Sequence, residues 1–261
     1  MSEAGPSAPP GYTRLQVRDA TVIARHDAVL GIQEALQETR TLHCWAATVP
    51  GAKAFQGRAT AWGTTLPRGG PAVVVRHARH GGFFAAFTGD RFLWPGRAPW
   101  ELEASERLRA AGVPTPAMVA YVLYPAGPGF CRCDVATARL PDGADFPQAW
   151  RDAAPTERES MLTATAALVR ALGLVNAQHE DLNAKNVYLA REGRGYRAFA
   201  LDVDRVRFLS AGDGRATALN LSRLLRSLRK HRERHGLAIG DAEFAQLERR
   251  ALGRAADEAQ P

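Results

Sequence analysis

Hydrophobic positions change their spacing along the chain. From Tyr12 to Arg25 they fall in short alternating runs, Leu15 with Val17 and then Val22 with Ile23, which predict edge strands. Asp27 to Leu42 predicts a short helix, and Phe55 to Trp62 reads as strand, Gly-containing turn, strand. After a Pro/Gly turn at Pro67 to Pro71, the run Ala72-Val73-Val74-Val75-Arg76-His77 predicts a buried strand ending in a cation, closed by His80-Gly81-Gly82. Pro99 to Ala111 predicts a helix with Leu102, Ser105 and Leu108 near one face and Glu101 on its first turn. Gly112-Val113-Pro114 stops it, and Val119 to Tyr124 and Asp134 to Leu140 predict further strands.

Downstream the helical period dominates. Asp142 to Pro155 is polar and Pro-punctuated, the pattern of a hinge. Thr156-x-x-Glu159 is a capping-box pattern ahead of a long helix to about Gln178, with Met161, Leu162, Leu168, Val169, Leu172 and Val175 as its apolar face. Val187 to Leu189 and Phe199 to Leu201 predict paired strands around a turn at Glu192 to Gly195, and helices over about Ala216 to His235 and Asp241 to Ala255 complete the chain. Strands first and helices later predict an α+β, two-lobed protein: a mostly antiparallel sheet lobe over 12–141 and a mainly helical lobe over 142–261. Residues 1–11, rich in Ser, Pro, Gly and Ala, read as a disordered leader without the features of a secretory signal.

Composition narrows the classes. The 261 residues carry a formal net charge of +7, and Lys53, Lys185 and Lys230 are the only lysines, so arginine supplies the excess. That balance suits anionic partners such as nucleotide phosphates, nucleic acid or an anionic membrane surface; it is equally the mark of an arginine-rich genome. No apolar run reaches the roughly 18 to 20 residues that span a bilayer. The three cysteines include Cys131-Arg132-Cys133, a spacing that puts two thiols on one face of a strand and completes no zinc site. They predict a reducing compartment, hence a cytoplasmic protein.

The chemistry concentrates in His179-Glu180-Asp181-Leu182-Asn183-Ala184-Lys185-Asn186 and, sixteen residues beyond Asn186, Asp202. In kinases of the H-R-D-x-x-x-x-N type, the aspartate accepts or orients the proton of an acceptor hydroxyl, and the asparagine and a later aspartate hold Mg²⁺ on the nucleotide phosphates. Asp181, Asn186 and Asp202 stand in those roles, Asp181 catalytic and the other two as metal ligands. His179 reads as an organiser of this loop or simply as a satisfied buried histidine. Asp204 either reaches the metal or acceptor or pairs with Arg205 at the surface. Upstream, Gly57-Arg58-Ala59-Thr60 is either a turn whose N–H groups approach phosphates or an ordinary hairpin turn. Arg76 is the candidate cation for the α/β-phosphates, with Glu101 as its carboxylate partner, and a purely structural pair is the other reading. Arg79, His77 and His80 add positive potential nearby.

Taken together these segments resemble the lipopolysaccharide kinases with a protein-kinase-like fold. The resemblance rests on Val74-Val75-Arg76-His77-Ala78-Arg79-His80-Gly81-Gly82, Gly89-Asp90-Arg91-Phe92-Leu93-Trp94, Gly112-Val113-Pro114-Thr115-Pro116, the His179 to Asn186 segment and Leu201-Asp202-Val203-Asp204-Arg205. It implies ATP and Mg²⁺ as cofactors. It implies transfer of phosphate to the 4-hydroxyl of 3-deoxy-D-manno-octulosonic acid (Kdo) on a lipid A precursor, by a peripheral protein on the cytoplasmic face of a Gram-negative inner membrane with no nucleic-acid partner. Ala78, Glu180 and Val203 depart from the family pattern. Two other classes remain: a small-molecule kinase of the aminoglycoside or choline type, and a pseudokinase that binds a partner or lipid, to which an arginine in the usual lysine position is relevant.

Overall fold

The computed structural model describes residues 6–56, 60–79, 89–210 and 214–253. The chain divides into two compact units, residues 1–103 with 117–139 and residues 104–116 with 140–261.

The first unit is an antiparallel sheet. Strands β1 (Tyr12–Val17), β2 (Ala20–Arg25), β3 (Lys53–Phe55), β4 (Ala61–Thr65), β5 (Ala72–His77), β6 (Phe92–Leu93), β7 (Met118–Pro125) and β8 (Phe130–Ala138) are arranged β1-β2-β7-β8-β5-β4-β3, with β6 also on β8. One face packs on helices α1 (Val29–Glu38) and α2 (Leu42–Thr48), where Val22, Val73, Val75, Val122 and Ala136 meet Ile32, Leu36, Leu42 and Trp45. On the other face Ile23, Tyr121, Leu123, Cys131, Cys133 and Val135 cluster with Phe92 and with Ala98 and Leu102 of helix α3 (Ala98–Ala110). Burial of both faces makes β7 a nearly unbroken apolar run, Met-Val-Ala-Tyr-Val-Leu-Tyr, instead of an alternating one. Cys131 and Cys133 are buried free thiols on one face of β8, and burial pushes the Cys133 thiol well above its ordinary pKa.

The second unit contains the outer part of α3, a three-stranded sheet and four helices. Its strands are β9 (Gly143–Asp145), β10 (Ala177–His179), β11 (Val187–Glu192), β12 (Gly195–Ala200) and β13 (Val206–Phe208), with β12-β11-β9 forming one sheet and β10-β13 a separate pair. Helices α4 (Phe146–Asp152), α5 (Arg158–Leu174), α6 (Ala216–His235) and α7 (Asp241–Leu252) surround a core that includes Phe146, Trp150, Met161, Leu168, Leu172, Leu224, Leu228, Phe244 and Leu247. Trp150 stacks on Phe146 at 5.3 Å and donates its indole N–H to Ala238 O at 2.8 Å, so a fully buried polar hydrogen is satisfied. Helix α6 stops at Gly236, whose φ of 62° lets the chain turn in the left-handed region and bury Leu237.

Several expectations change. Of the two strands expected at an edge, β1 is at one; β2 lies between β1 and β7 and is buried over most of its length. The helix expected over Asp27 to Leu42 breaks at Thr39, which is extended and turns its hydroxyl back on Ala35 O, and a second helix starts with Thr41 accepting from Cys44 N–H. Strand β8 begins four residues before Asp134 and takes in the cysteine pair. The expected polar hinge at Asp142 to Pro155 holds β9 and the buried helix α4 instead. Thr156 does not cap α5: Ala154 N–H donates to Glu157 Oε2 at 2.9 Å, while Glu159 pairs with Arg250. That helix ends at Leu174, because Ala177 to His179 is drawn into pairing with β13.

Candidate active site

The second unit gathers the motif by strand register. Val187 of β11 faces Ala200 of β12, so the hairpin brings Asn186, one residue before β11, to the level of Leu201, and Leu201 N–H donates to Asn186 O at 2.9 Å. A separation of sixteen residues in sequence thereby closes to neighbouring strand ends. Ala200 is anchored at both main-chain groups, its N–H donating to Pro114 O at 2.9 Å and its carbonyl accepting from Thr115 Oγ1 at 2.8 Å. Asp202 then takes the left-handed conformation, φ 56° and ψ 54°, ahead of a 3₁₀ turn at Val203–Arg205. A non-glycine residue held there is backbone strain that the surrounding bonds sustain.

His179 organises the other side. It is fully buried, its Nε2 lies 2.8 Å from Leu201 O, and Asp181 N–H donates to its Nδ1 at 3.3 Å. A carbonyl on one nitrogen and an N–H on the other define the neutral Nε2–H tautomer. Burial holds its pKa below the ordinary histidine value, which agrees. Asn220 of α6, also fully buried, accepts from His179 N–H at 2.9 Å and donates to Ala177 O at 2.8 Å.

Asp181 and Asn186 are half-buried and Asp202 is exposed. Asn186 Nδ2 donates to Asp181 O at 2.8 Å, which commits its nitrogen and turns its amide oxygen the other way. One amide oxygen and one carboxylate form a hard donor set that fits Mg²⁺. Among the described residues no group of three His, Cys, Asp or Glu side chains could hold a metal. The pair therefore suits an ion that takes its remaining ligands from phosphates and water. Asp204 sits half-buried in the 3₁₀ turn, and Glu180 forms a surface pair with Arg207 at 2.9 Å.

In the first unit, Arg76 near the end of β5 pairs with Glu101 on α3. Glu101 is only 7% exposed, so this carboxylate is kept in the sheet lobe by its guanidinium partner. Gly57, Arg58, Ala59 and the His80 to Gly82 segment lie outside the described residues. Thr60 is described, and its carbonyl lies 2.8 Å from His43 Nε2. Arg79 is exposed.

Sequence reading passed over Asn183, and it counted His77 only as local positive potential without its partners. Asn183 caps the loop: its Oδ1 accepts from Lys185 N–H at 2.9 Å and Asn186 N–H at 3.2 Å, and its Nδ2 reaches Asp181 Oδ1 at 3.2 Å. Asn183 stands immediately before the short helical turn at Ala184–Asn186. His77 Nδ1 lies 2.6 Å from Asp134 Oδ1 and its Nε2 lies 3.0 Å from Asp90 Oδ2. Asp134 lies far from His77 in sequence and meets it through the β5–β8 ladder, while Asp90, in the turn ahead of β6, reaches the other ring nitrogen.

Comparison with known proteins identifies the family of the chain. Residues 34–250 match the family described as lipopolysaccharide kinase (Kdo/WaaP). The chain is 31% identical over 200 residues to the 3-deoxy-D-manno-octulosonic acid kinase of Xanthomonas euvesicatoria, covering 74% of this chain and 75% of the relative. The Haemophilus influenzae protein of the same name is 27% identical over 183 residues, covering 68% and 74%. Among solved structures, WaaP in complex with acyl carrier protein shares the fold at a TM-score of 0.50 and 19% identity, over 82% of this chain and 83% of that one. The chain belongs to the lipopolysaccharide kinase (Kdo/WaaP) family and is a kinase, a phosphotransferase with a two-lobed α+β fold.

Proposed function

We propose that the protein transfers the γ-phosphate of ATP to the 4-hydroxyl of a Kdo sugar on a lipid A precursor. The relatives named as Kdo kinases support the sugar, and the loop chemistry supports the reaction. Asp181 accepts the acceptor hydroxyl's proton as that oxygen bonds to the γ-phosphorus and ADP leaves. Asn183 and the main-chain bonds to His179 and Asn186 keep that carboxylate in place. Asn186 and Asp202 would hold Mg²⁺, which supplies charge neutralisation on the phosphates when bound. Arg76, steadied by Glu101, holds the α/β-phosphates; the Gly57 to Thr60 segment is assigned to the same ligand.

We also assign the protein to the cytoplasmic face of the inner membrane as a peripheral protein. No helix among the described residues is long and apolar enough to cross a membrane. Helix α6 offers a surface for docking: Arg223, Arg226, Lys230 and Arg234 are exposed at helical spacing along it.

The observation that carries the reading is the hairpin register that sets Asn186 beside the strand end leading into Asp202. The test is incubation with labelled ATP, Mg²⁺ and Kdo-lipid A, followed by mass spectrometry of the glycolipid. Gain of one phosphate on the Kdo supports the reading. Bound ATP with no glycolipid product would sink the acceptor assignment.

A further inference from the structure

We propose that His77 is a positioning residue for the nucleotide-phosphate cation, fixing the end of β5 and with it Arg76 by bridging Asp134 and Asp90. The inference rests on the reading of Arg76 as the phosphate-binding group.

His77 is the last residue of β5 and Arg76 the one before it, so any fraying of the strand end would release Arg76. In the ladder His77 stands opposite Asp134 on β8, which is fully buried. Asp134 Oδ1 lies 2.6 Å from His77 Nδ1, while its Oδ2 accepts from His43 N–H of α2 at 2.8 Å and from the Tyr124 hydroxyl of β7 at 3.0 Å. One carboxylate thus ties three strands and a helix start together at this corner. The other ring nitrogen faces Asp90, which is itself bonded by Arg132 Nε of β8 at 2.9 Å.

An ionised carboxylate only accepts hydrogen bonds, so a ring with one on each nitrogen needs both N–H groups, and only the imidazolium has two. The bond to Asp134 holds the His77 pKa above its ordinary value against the opposing effect of burial, with Asp90 adding to it. For Asp90, burial would raise the carboxyl, but its bonds to Arg132 and His77 outweigh that and hold it low. Among the described residues, other titratable neighbours include the His43 ring, 6.0 Å from His77, and Arg76 on the same strand with Glu101 as its partner. The folded-state pKa is the raised one. The complete bridge is therefore present below the unfolded value of about 6.5 and is lost as pH climbs through the higher folded value.

The experiment measures Mg-ATP binding by titration calorimetry, which needs no acceptor. His77→Gln keeps its donors on a single nitrogen, and its amide oxygen only accepts, so it cannot offer an N–H to a carboxylate on each side. Its dissociation constant should rise about fivefold near pH 6. The ratio of variant to wild type should fall towards one as pH rises to about 9, which cancels the titration of ATP itself. A merely structural loss would lower the binding stoichiometry and leave the affinity of the folded fraction alone. An unchanged ratio across the range overturns the proposal. If His77→Gln does not fold, Asp90→Asn decides, since it spares the Asp134 bond: the pH at which wild-type affinity declines should move down, and no movement overturns the proposal. Arg76→Ala separates the two levels. If it binds Mg-ATP normally, the reading of Arg76 falls and this inference with it; if it binds weakly while His77→Gln binds normally, only this inference falls.

Discussion

Asp181 is held mostly by its main chain. Its N–H meets His179 Nδ1, and its carbonyl accepts from Asn183 N–H at 2.8 Å and from Asn186 Nδ2 at 2.8 Å. The half-buried side chain has one neighbour bond, from Asn183 Nδ2 at 3.2 Å. Asp181→Ala should therefore cost no more than about 1 kcal/mol of stability. It should lower the phosphate-transfer rate by about a hundredfold to ten-thousandfold, the range for a positioned base. Denaturation midpoints together with labelled-ATP turnover check this, and a variant that turns over normally removes Asp181 from the reaction. Asn183→Ala is the complementary case. It strips the cap from the Lys185 and Asn186 N–H groups and should cost about 1 kcal/mol. Loss of the loop's alignment should reduce turnover about tenfold to a hundredfold while leaving the Asp181 carboxylate in the protein. Asp181, Asn186 and Asp202 stand out in the sequence because the proposed chemistry requires their spacing. Asn183 and Asn220 do not, since an asparagine is informative only once its hydrogen-bond partners are known.

The hairpin of β11 and β12 was legible because both strands are short apolar runs around a Gly-containing turn, and the two last helices were legible from their periodicity. Its neighbour β9 was not: three residues carry no period, and the strand exists only because β11 offers an unpaired side. Helix α4 was hidden by Pro147, which reads as a breaker. At the start of a helix its missing N–H costs nothing, and Asp145 caps the same turn by accepting from Gln148 N–H at 2.9 Å. Gly143 shows how tightly β9 is set. A Cβ there would meet the Leu189 carbonyl and Ala190 Cα, backbone atoms with no room to yield. Gly143→Ala should lower stability by about 1–3 kcal/mol through displacement of β9 from β11. Chemical denaturation reads that loss. Leu189, opposite Ala144, and Arg191, whose N–H donates to Asp142 O at 3.0 Å, face β9 and should lose amide protection in hydrogen exchange. Wild-type protection at both positions would show that β9 adds nothing to the hairpin.

At the scale of the molecule, the net charge of +7 is spread over a chain with few lysines, and its placement is what matters for partners. On α6 the buried side is Leu221, Leu224, Leu225 and Leu228, packed into the second unit's core, so the helix cannot turn its opposite side inward. That outer side presents Arg223, Arg226, Lys230 and Arg234 to solvent, with Leu174, 85% exposed, among the exposed apolar groups of the same unit. Composition alone left the excess arginine ambiguous, since a basic chain need not have a basic face; helix periodicity converts it into one. Each cation near an anionic bilayer contributes about 1 kcal/mol, so replacing Arg223, Arg226 and Lys230 by Ala should weaken binding by about 3 kcal/mol, on the order of a hundredfold. Sedimentation with vesicles containing phosphatidylglycerol measures it. Wild-type binding should fall steeply between low salt and 0.5 M salt, because surface charges are screened within a few ångströms there. None of the three side chains belongs to the loop that carries Asp181, so turnover of a water-soluble Kdo acceptor should stay within about twofold of wild type while turnover of vesicle-borne glycolipid falls. Undiminished vesicle binding by the triple variant would rule out α6 as the docking face, and equal loss on both acceptors would mean that the helix serves the second unit's stability instead.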